Sequence, residues 1–253
     1  MNIAIVLAGG QKTGLLEDPA KPVNEALIPI GKRLMVEYVV EALSNSVNVR
    51  NIIIAGPKKE MAGIFSANKK LTLVPCGDTT IGSLLNALEA VPADFQDRVL
   101  VVTADIPLLT TEAVDDFINV CRDKEGELFY PIVSKEANEE KYPGVQRTYV
   151  NLKEGIFTGG NIVLIDPRAV KKCVKVAEEL VRLRKSPISL AFYVGWGLLL
   201  RYLLGILSLR DAEDKVSKLL GIKGTGIISS FPEIGIDVDK QSDLALVKKK
   251  LVG

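Results

Sequence analysis

MNIAIVLAGG, residues 1–10, decides how the rest of the chain is read. Ile3, Ile5, Val6 and Leu7 make a short, uncharged run rich in β-branched side chains, which suits a strand buried on both faces of a parallel sheet. Two glycines end it. Gly9 and Gly10 remove side chains where the backbone leaves the sheet, so a ligand can approach the main chain and its N–H groups can cradle phosphate. An ordinary strand followed by a glycine turn is the competing reading.

Two familiar phosphate loops are excluded. A P-loop needs Lys and then Ser or Thr after its second spaced glycine, whereas Gly9 and Gly14 are followed by Leu15 and Leu16. The dinucleotide fingerprint G-x-G-x-x-G also fails across Gly10, Gln11, Lys12, Thr13 and Gly14.

Composition bounds the chemistry. The 253 residues suffice for one α/β domain with a full core, and 32 Lys plus Arg against 31 Asp plus Glu leave no field that points to nucleic acid. Cys76, Cys121 and Cys173 lie far apart without a C-x-x-C, which reads as reduced, structural thiols in a cytoplasmic protein; no targeting signal opens the chain. There is no histidine, so a metal would be held by carboxylates and would be Mg²⁺-like.

In chain order, residues 11–25 lack periodicity and read as a loop ordered on binding. Leu34, Met35, Tyr38, Val39 and Leu43 recur at helical spacing, and residues 51–55 form a second buried strand, which completes a βαβ unit. Residues 71–75 give a third strand, 80–90 a helix that begins with Gly82 and Ser83, and 98–103 the strongest strand of all. Strands alternating with helices predict a doubly wound sheet with ligands beyond the strands' C-terminal ends, where Ala104 and Asp105 stand. A lone Asp there also serves as a cap or turn residue. From Lys124 the pattern changes: residues 127–131, 135–143 and 146–152 read as strands and polar loops of an antiparallel insertion, followed by Thr158-Gly159-Gly160-Asn161 and the strand 162–165. Residues 211–220 read as a helix closed by Gly221 and 226–230 as a strand. Asp237 and Asp239 then share one side of an extended segment, and Asp243 is read as the cap of a helix over 244–251.

Residues 188–209 contain a single charge, Arg201, among apolar residues with Tyr193, Trp196 and Tyr202. Arg201 and three glycines argue against a membrane span, and the segment is expected to make two short packed helices. Core, a homodimer or partner interface, and a membrane surface all remain as ways to cover it.

The LAGG loop, NEALIPIGKRLMVEYVVEAL, VVTADIPLLT, FTGGNIVLIDP and IGIDVDKQSDLALVKK, in that order, resemble the MobA-like NTP transferase family over nearly the whole chain. The resemblance implies an α/β fold of the GT-A, Rossmann-like kind: a doubly wound mixed sheet with an acceptor-side insertion and a C-terminal helical elaboration. It is expected to occupy residues 1–253 as one domain, with 1–123 as the nucleotide half and 124–253 as the acceptor half, including an apolar helical segment at 186–221. The resemblance further implies nucleotide binding at Leu7, Ala8, Gly9, Gly10, Gly82 and Ser83, and acceptor binding at Gly159, Gly160 and Asn161. Mg²⁺ would be held by Asp105 and Asp239, with Asp237 as the alternate. The chain departs from the family in one place. Gly14 and Glu25 stand where the family carries an Arg and a Lys on the triphosphate, so Lys12 and Lys21 are expected to supply the charge together with catalytic Asp105. The implied activity is transfer of NMP from an NTP to a small phosphorylated acceptor, releasing pyrophosphate. A non-catalytic nucleotide sensor is the alternative, and so is a glycosyltransferase, although Ala104-Asp105-Ile106-Pro107 lacks that class's D-x-D.

Overall fold

The computed structural model describes residues 2–12, 23–65, 68–183, 193 and 195–253. Its centre is a nine-stranded sheet. The strands are β1 (Asn2–Leu7), β2 (Val49–Gly56), β3 (Leu71–Pro75), β4 (Val99–Thr103), β5 (Leu128–Ser134), β6 (Val150–Leu152), β7 (Gly155–Gly159), β8 (Ile162–Ile165) and β9 (Gly224–Ser229). β4, β1, β2 and β3 run parallel in that spatial order. This is the wound half that the βαβ periodicity predicted. Beyond β4 the sheet turns mixed, because β8 runs antiparallel to both β4 and β5, and β7 and β6 continue antiparallel. β9 lies parallel on β5.

Helices cover both faces because each presents one apolar stripe. On one side, α1 (Met35–Asn45), α2 (Lys58–Phe65) and α4 (Thr111–Arg122) pack Val36, Val39, Leu43, Met61, Val114 and Phe117 against Ala4, Val6, Ile54 and Val102. On the other, α3 (Thr80–Leu88) and α6 (Pro167–Leu183) bring Leu84, Ala87 and Val170 onto Ile3, Ile5, Ile53 and Val101. β1 is buried on both faces, and that is why its residues carry no polar alternation.

Two local readings are corrected. Residues 135–143 were expected as strand and loop, yet α5 (Lys135–Lys141) is a helix: Ser134 Oγ caps it by accepting from Ala137 N, and Lys135 pairs with Glu139 one turn on. Asp243 is not the cap residue of the last helix, α9 (Gln241–Leu251), but sits in its first turn. There its carboxylate accepts from the N–H groups of Asp239 and Lys240, the reciprocal half of a capping box. The apolar segment supplies α7 (Trp196–Leu203), followed by α8 (Leu209–Leu220). No residue of α7 is buried, so its side chains do not form core; residues 188–192 and 194 lie outside the described residues. Among the described residues, no helix is long and apolar enough to cross a membrane.

Candidate active site

The ends of β1 and β4 are stitched together just where both strands stop. Ala104 N donates to Leu7 O at 3.1 Å, and Ala8 N to Ala55 O at 2.7 Å, so the parallel ladder carries the chain directly into the LAGG loop and the Asp105 turn side by side. Asn24 Nδ2 donates to Ala8 O at 2.9 Å, and Glu25 N to Gly10 O at 3.2 Å; these bonds lay residues 24 and 25 along the loop. The glycines are sterically required. A Cβ on Gly10 would stand 3.0 Å from Glu25 Oε2, and one on Gly9 would stand 2.8 Å from Cys76 Cβ. Glu25, at the family's lysine position, is a buried side chain against Gly10.

The first turn of α3 forms the wall beside Gly9. Thr79 Oγ1 accepts from Gly82 N at 2.9 Å and caps the helix, while the buried Ser83 hydroxyl accepts from Gly77 N at 3.0 Å. A Cβ on Gly77 would lie 2.6 Å from the Gly82 carbonyl carbon, so only glycine lets these two turns touch. Ser83 Oγ lies 3.5 Å from where a Gly9 Cβ would be. Leu7, Ala8, Gly9, Gly10, Gly82 and Ser83 therefore line one end of the sheet together. The side chain of Lys12 and the whole of Lys21 lie outside the described residues; the Lys12 backbone pairs with Val23.

Three carboxylates converge across from that loop. Asp105, Asp237 and Asp239 each place an oxygen within 4.8 Å of the others. Local bonds aim each one. Thr103 Oγ1 donates to Asp105 Oδ1 at 2.5 Å, and Val238 N donates to Asp105 O at 2.9 Å, which straps the acidic segment onto the end of β4. Arg147 donates to Asp237 Oδ1, both side chains being largely shielded from water. Burial pushes the Asp237 carboxyl up; Arg147 opposes that shift, while Asp105 and Asp239 add like-charge repulsion. Three acids held this close form a set whose mutual repulsion a hard divalent cation would relieve. Asp237 stands in this cluster beside Asp239.

The neighbouring wall is the break between β7 and β8. Gly159 lies opposite Ile132 but Leu164 opposite Phe129, so the register slips across Gly160 and Asn161. Gly160 N donates to Pro131 O at 2.9 Å, Asn161 N to Ile234 O at 2.7 Å, and Thr103 N to Asn161 O at 3.2 Å. A Cβ on Gly159 would meet the Tyr130 hydroxyl at 2.1 Å, so any side chain there would have to push that tyrosine aside. Asn161 Nδ2 is buried with no acceptor among the described residues.

Glu233, Lys141 and Arg147, three residues of this rim, were not singled out in the sequence. Glu233, 1% exposed, accepts from Lys141 Nζ at 2.8 and 3.0 Å and from Thr110 Oγ1 at 3.2 Å, and it anchors the turn that leads into the acidic segment. Arg147 is the third. None of them belongs to a periodic pattern, and their partners lie roughly ninety or more positions away in the chain, so no local signal could have marked them.

A family model for the MobA-like NTP transferase domain matches residues 4–186. The chain belongs to that family. It is an NTP-dependent nucleotidyltransferase by membership, and the match runs from β1 through the TGGN break. A structure described as a hypothetical transferase from Thermus thermophilus is 40% identical over 96% of this chain and 99% of its own, with a TM-score of 0.80. At the level of fold alone, the chain is similar to 4-diphosphocytidyl-2C-methyl-D-erythritol synthase from Anaerococcus prevotii: 13% identity, TM-score 0.62, covering 100% of this chain and 99% of that one. It is also similar to a CMP:2-keto-3-deoxy-manno-octonic acid synthetase solved with CTP: 14% identity, TM-score 0.61, covering 100% and 99%. No curated protein matches the chain.

Proposed function

We propose that this protein transfers a nucleoside monophosphate from an NTP to a phosphorylated sugar, alcohol or cofactor acceptor and releases pyrophosphate. One observation carries the reading: the LAGG loop and the three-acid cluster are fastened edge to edge by the Ala104–Leu7 hydrogen bond, so a phosphate chain lying on the loop also faces the acids. An acceptor phosphate oxygen attacks the α-phosphorus in line, the bond from that phosphorus to the β-phosphate bridging oxygen breaks, and the electron pair leaves on pyrophosphate.

Such a displacement needs alignment and charge neutralisation more than protein acid–base chemistry, which suits a chain with no histidine. The cluster of Asp105, Asp237 and Asp239 fits a hard divalent cation, which we assign as Mg²⁺: its donors are carboxylate oxygens, and Asp237, whose charged form burial disfavours, sits among them. When bound, that cation supplies the positive charge that offsets the phosphates. The chain's own groups do the rest. Gly9 and Gly10 keep the main chain bare for the triphosphate, and the α3 N-terminus with Gly82 and Ser83 contributes a positive helix end. We assign triphosphate contacts to Lys12 and Lys21. Gly159 and Gly160 allow close approach of the acceptor, and the unpartnered Asn161 amide donates to one of its oxygens. The free cysteines accord with a reducing, cytoplasmic setting.

The test is pyrophosphate release with each of the four NTPs, crossed with sugar, alcohol and cofactor phosphates, in the presence of Mg²⁺. Turnover with one base and one acceptor class is expected, and it should fall when Lys12 and Lys21 are both changed to Ala. NTP binding without turnover on any acceptor would replace this reading with a nucleotide sensor.

A further inference from the structure

An exposed apolar surface lies at α7. This helix and the turn after it expose Trp196 (57%), Leu200 (55%), Tyr202 (40%), Leu203 (68%), Leu204 (69%) and Ile206 (45%). Together these side chains present apolar surface on the order of 600 Å², at or above the largest patch that a typical soluble monomer shows. We propose that this lobe is the contact face of a symmetric homodimer, with the α7 lobe of one copy packed on that of a second.

Three observations select a second copy as the occupant. The first is area: two such faces closing on each other remove about 1,200 Å² of surface, the lower edge of the range for specific, stable interfaces. The second is charge. Arg201, the one ionisable residue of α7 other than Tyr202, is already neutralised within its own chain, 2.5 Å from Asp211. A twofold axis brings each residue near its own duplicate, so a face without net charge can meet itself without repulsion. The surrounding groups nearly cancel. With Asp211 already paired to Arg201, Lys153, Lys215 and Lys218 stand against Glu154 and Asp214, a single net positive charge that falls well short of the cationic cluster that draws a segment to an anionic bilayer. The third is composition: Trp and Tyr beside Leu, with few charged residues at the centre, is the make-up of protein interface cores.

The lobe is also tied to the active-site half. Lys153 N donates to Leu207 O at 2.8 Å, and Leu209 N donates to Glu154 Oε2 at 2.9 Å. These bonds fasten the segment after α7 to the turn between β6 and β7, the strand that ends at Gly159. A partner seated on α7 therefore braces the hairpin that forms the TGGN wall.

The experiment is light scattering coupled to size exclusion on the full chain, for wild type and for Leu203→Glu/Leu204→Glu, over a wide concentration range. Wild type is expected at the mass of two chains. The double variant, whose charges are counted twice across the axis, should weaken association about a hundredfold or more and run as one chain with an unchanged far-ultraviolet circular dichroism spectrum. Trp196 is the sole tryptophan and provides a readout without any variant: its emission should shift to the red as the dimer is diluted apart. A single-chain mass for wild type at every concentration, or a dimer that survives the double substitution with Trp196 emission unchanged on dilution, overturns the proposal. So does a monomer that co-sediments with phosphatidylcholine–phosphatidylglycerol vesicles and loses them in the variant, since lipid would then be the occupant. Mass and emission are read without substrate, so they are independent of the catalytic assignment.

Discussion

The rim around Asp105 and the lobe around α7 are opposite solutions to exposing chemistry on a protein surface. The rim gathers Asp105, Asp237, Asp239, Glu233, Arg147 and Lys141 within a few bonds of one another, and most of those bonds join residues far apart in sequence. The lobe gathers large apolar side chains from consecutive residues of one helix and its exit, and they are exposed to solvent. Polar groups brought out of water must be partnered, so the rim is rigidly specified. Exposed leucines demand no partner from their own chain, and the fold does not depend on them. The difference teaches that sensitivity to mutation should track partnering rather than hydrophobicity.

The comparison breaks most visibly at Asp105. Asp105→Ala is expected to lower pyrophosphate release by about 10³-fold or more, because it removes a group that holds the phosphate-neutralising charge at the end of β4. Circular dichroism should show the fold retained, since losing one of three crowded acids relieves repulsion. Near-normal turnover in this variant would detach the acidic cluster from the chemistry.

Lys141→Met tests the rim's structural side. It leaves the Glu233 carboxylate, 1% exposed, with only Thr110 as described partner, and should cost about 2–3 kcal/mol in urea unfolding, at the low end for a broken pair because Lys141 is itself half exposed. Adding Glu233→Gln should recover part of that loss. If both variants unfold at the wild-type midpoint, the ion pair contributes nothing to the clamp.

A smaller effect is expected with pH. Tyr142, next to this pair, has its phenol pushed up to about 12, first by burial and then by the Glu233 charge. A raised folded-state pKa means stability that is complete below the unfolded value, 10.0, and lost as pH climbs from there through about 12. Raising pH from about 9 to about 11 should therefore remove roughly 1 kcal/mol through this group, and Tyr142→Phe should flatten that part of the profile. An identical slope in the Phe variant would assign the alkaline loss to other groups.

The least effect on folding is expected in the lobe. Leu204→Ser should change the unfolding free energy of the dilute chain by no more than about 0.5 kcal/mol, because 69% of that leucine already faces solvent. A loss above about 2 kcal/mol would show that α7 packs on its own chain after all.

Legibility in the sequence follows the range of the forces involved. β1 through β4 and their helices were readable because burial on both faces, or along one stripe, writes a local pattern, and the family motifs added the candidate site residues. Residues 124–253 were read less well. α5 looked like strand and loop because KEANEEK shows no apolar stripe, and its helix rests on the Ser134 cap and charged neighbours. Asp237 was ranked below Asp239 because the resemblance puts the ligand in the V-D pair Val238-Asp239, while alternation along an extended segment only places both acids on one side. The bond from Val238 N to Asp105 O brings both there.

What the sequence determined by itself is the wound sheet, the bare-backbone loop at Gly9 and Gly10, the carboxylate character of any metal site, and the presence of an apolar segment needing a cover. These are properties of composition and short-range periodicity, and folding cannot alter them. Tertiary structure alone decided that Glu233 and Arg147 serve the acidic segment, that three acids rather than two converge, and that α7 faces outward. Each of those outcomes depends on contacts between residues distant along the chain, and the energy of such contacts exists only once the sheet has closed.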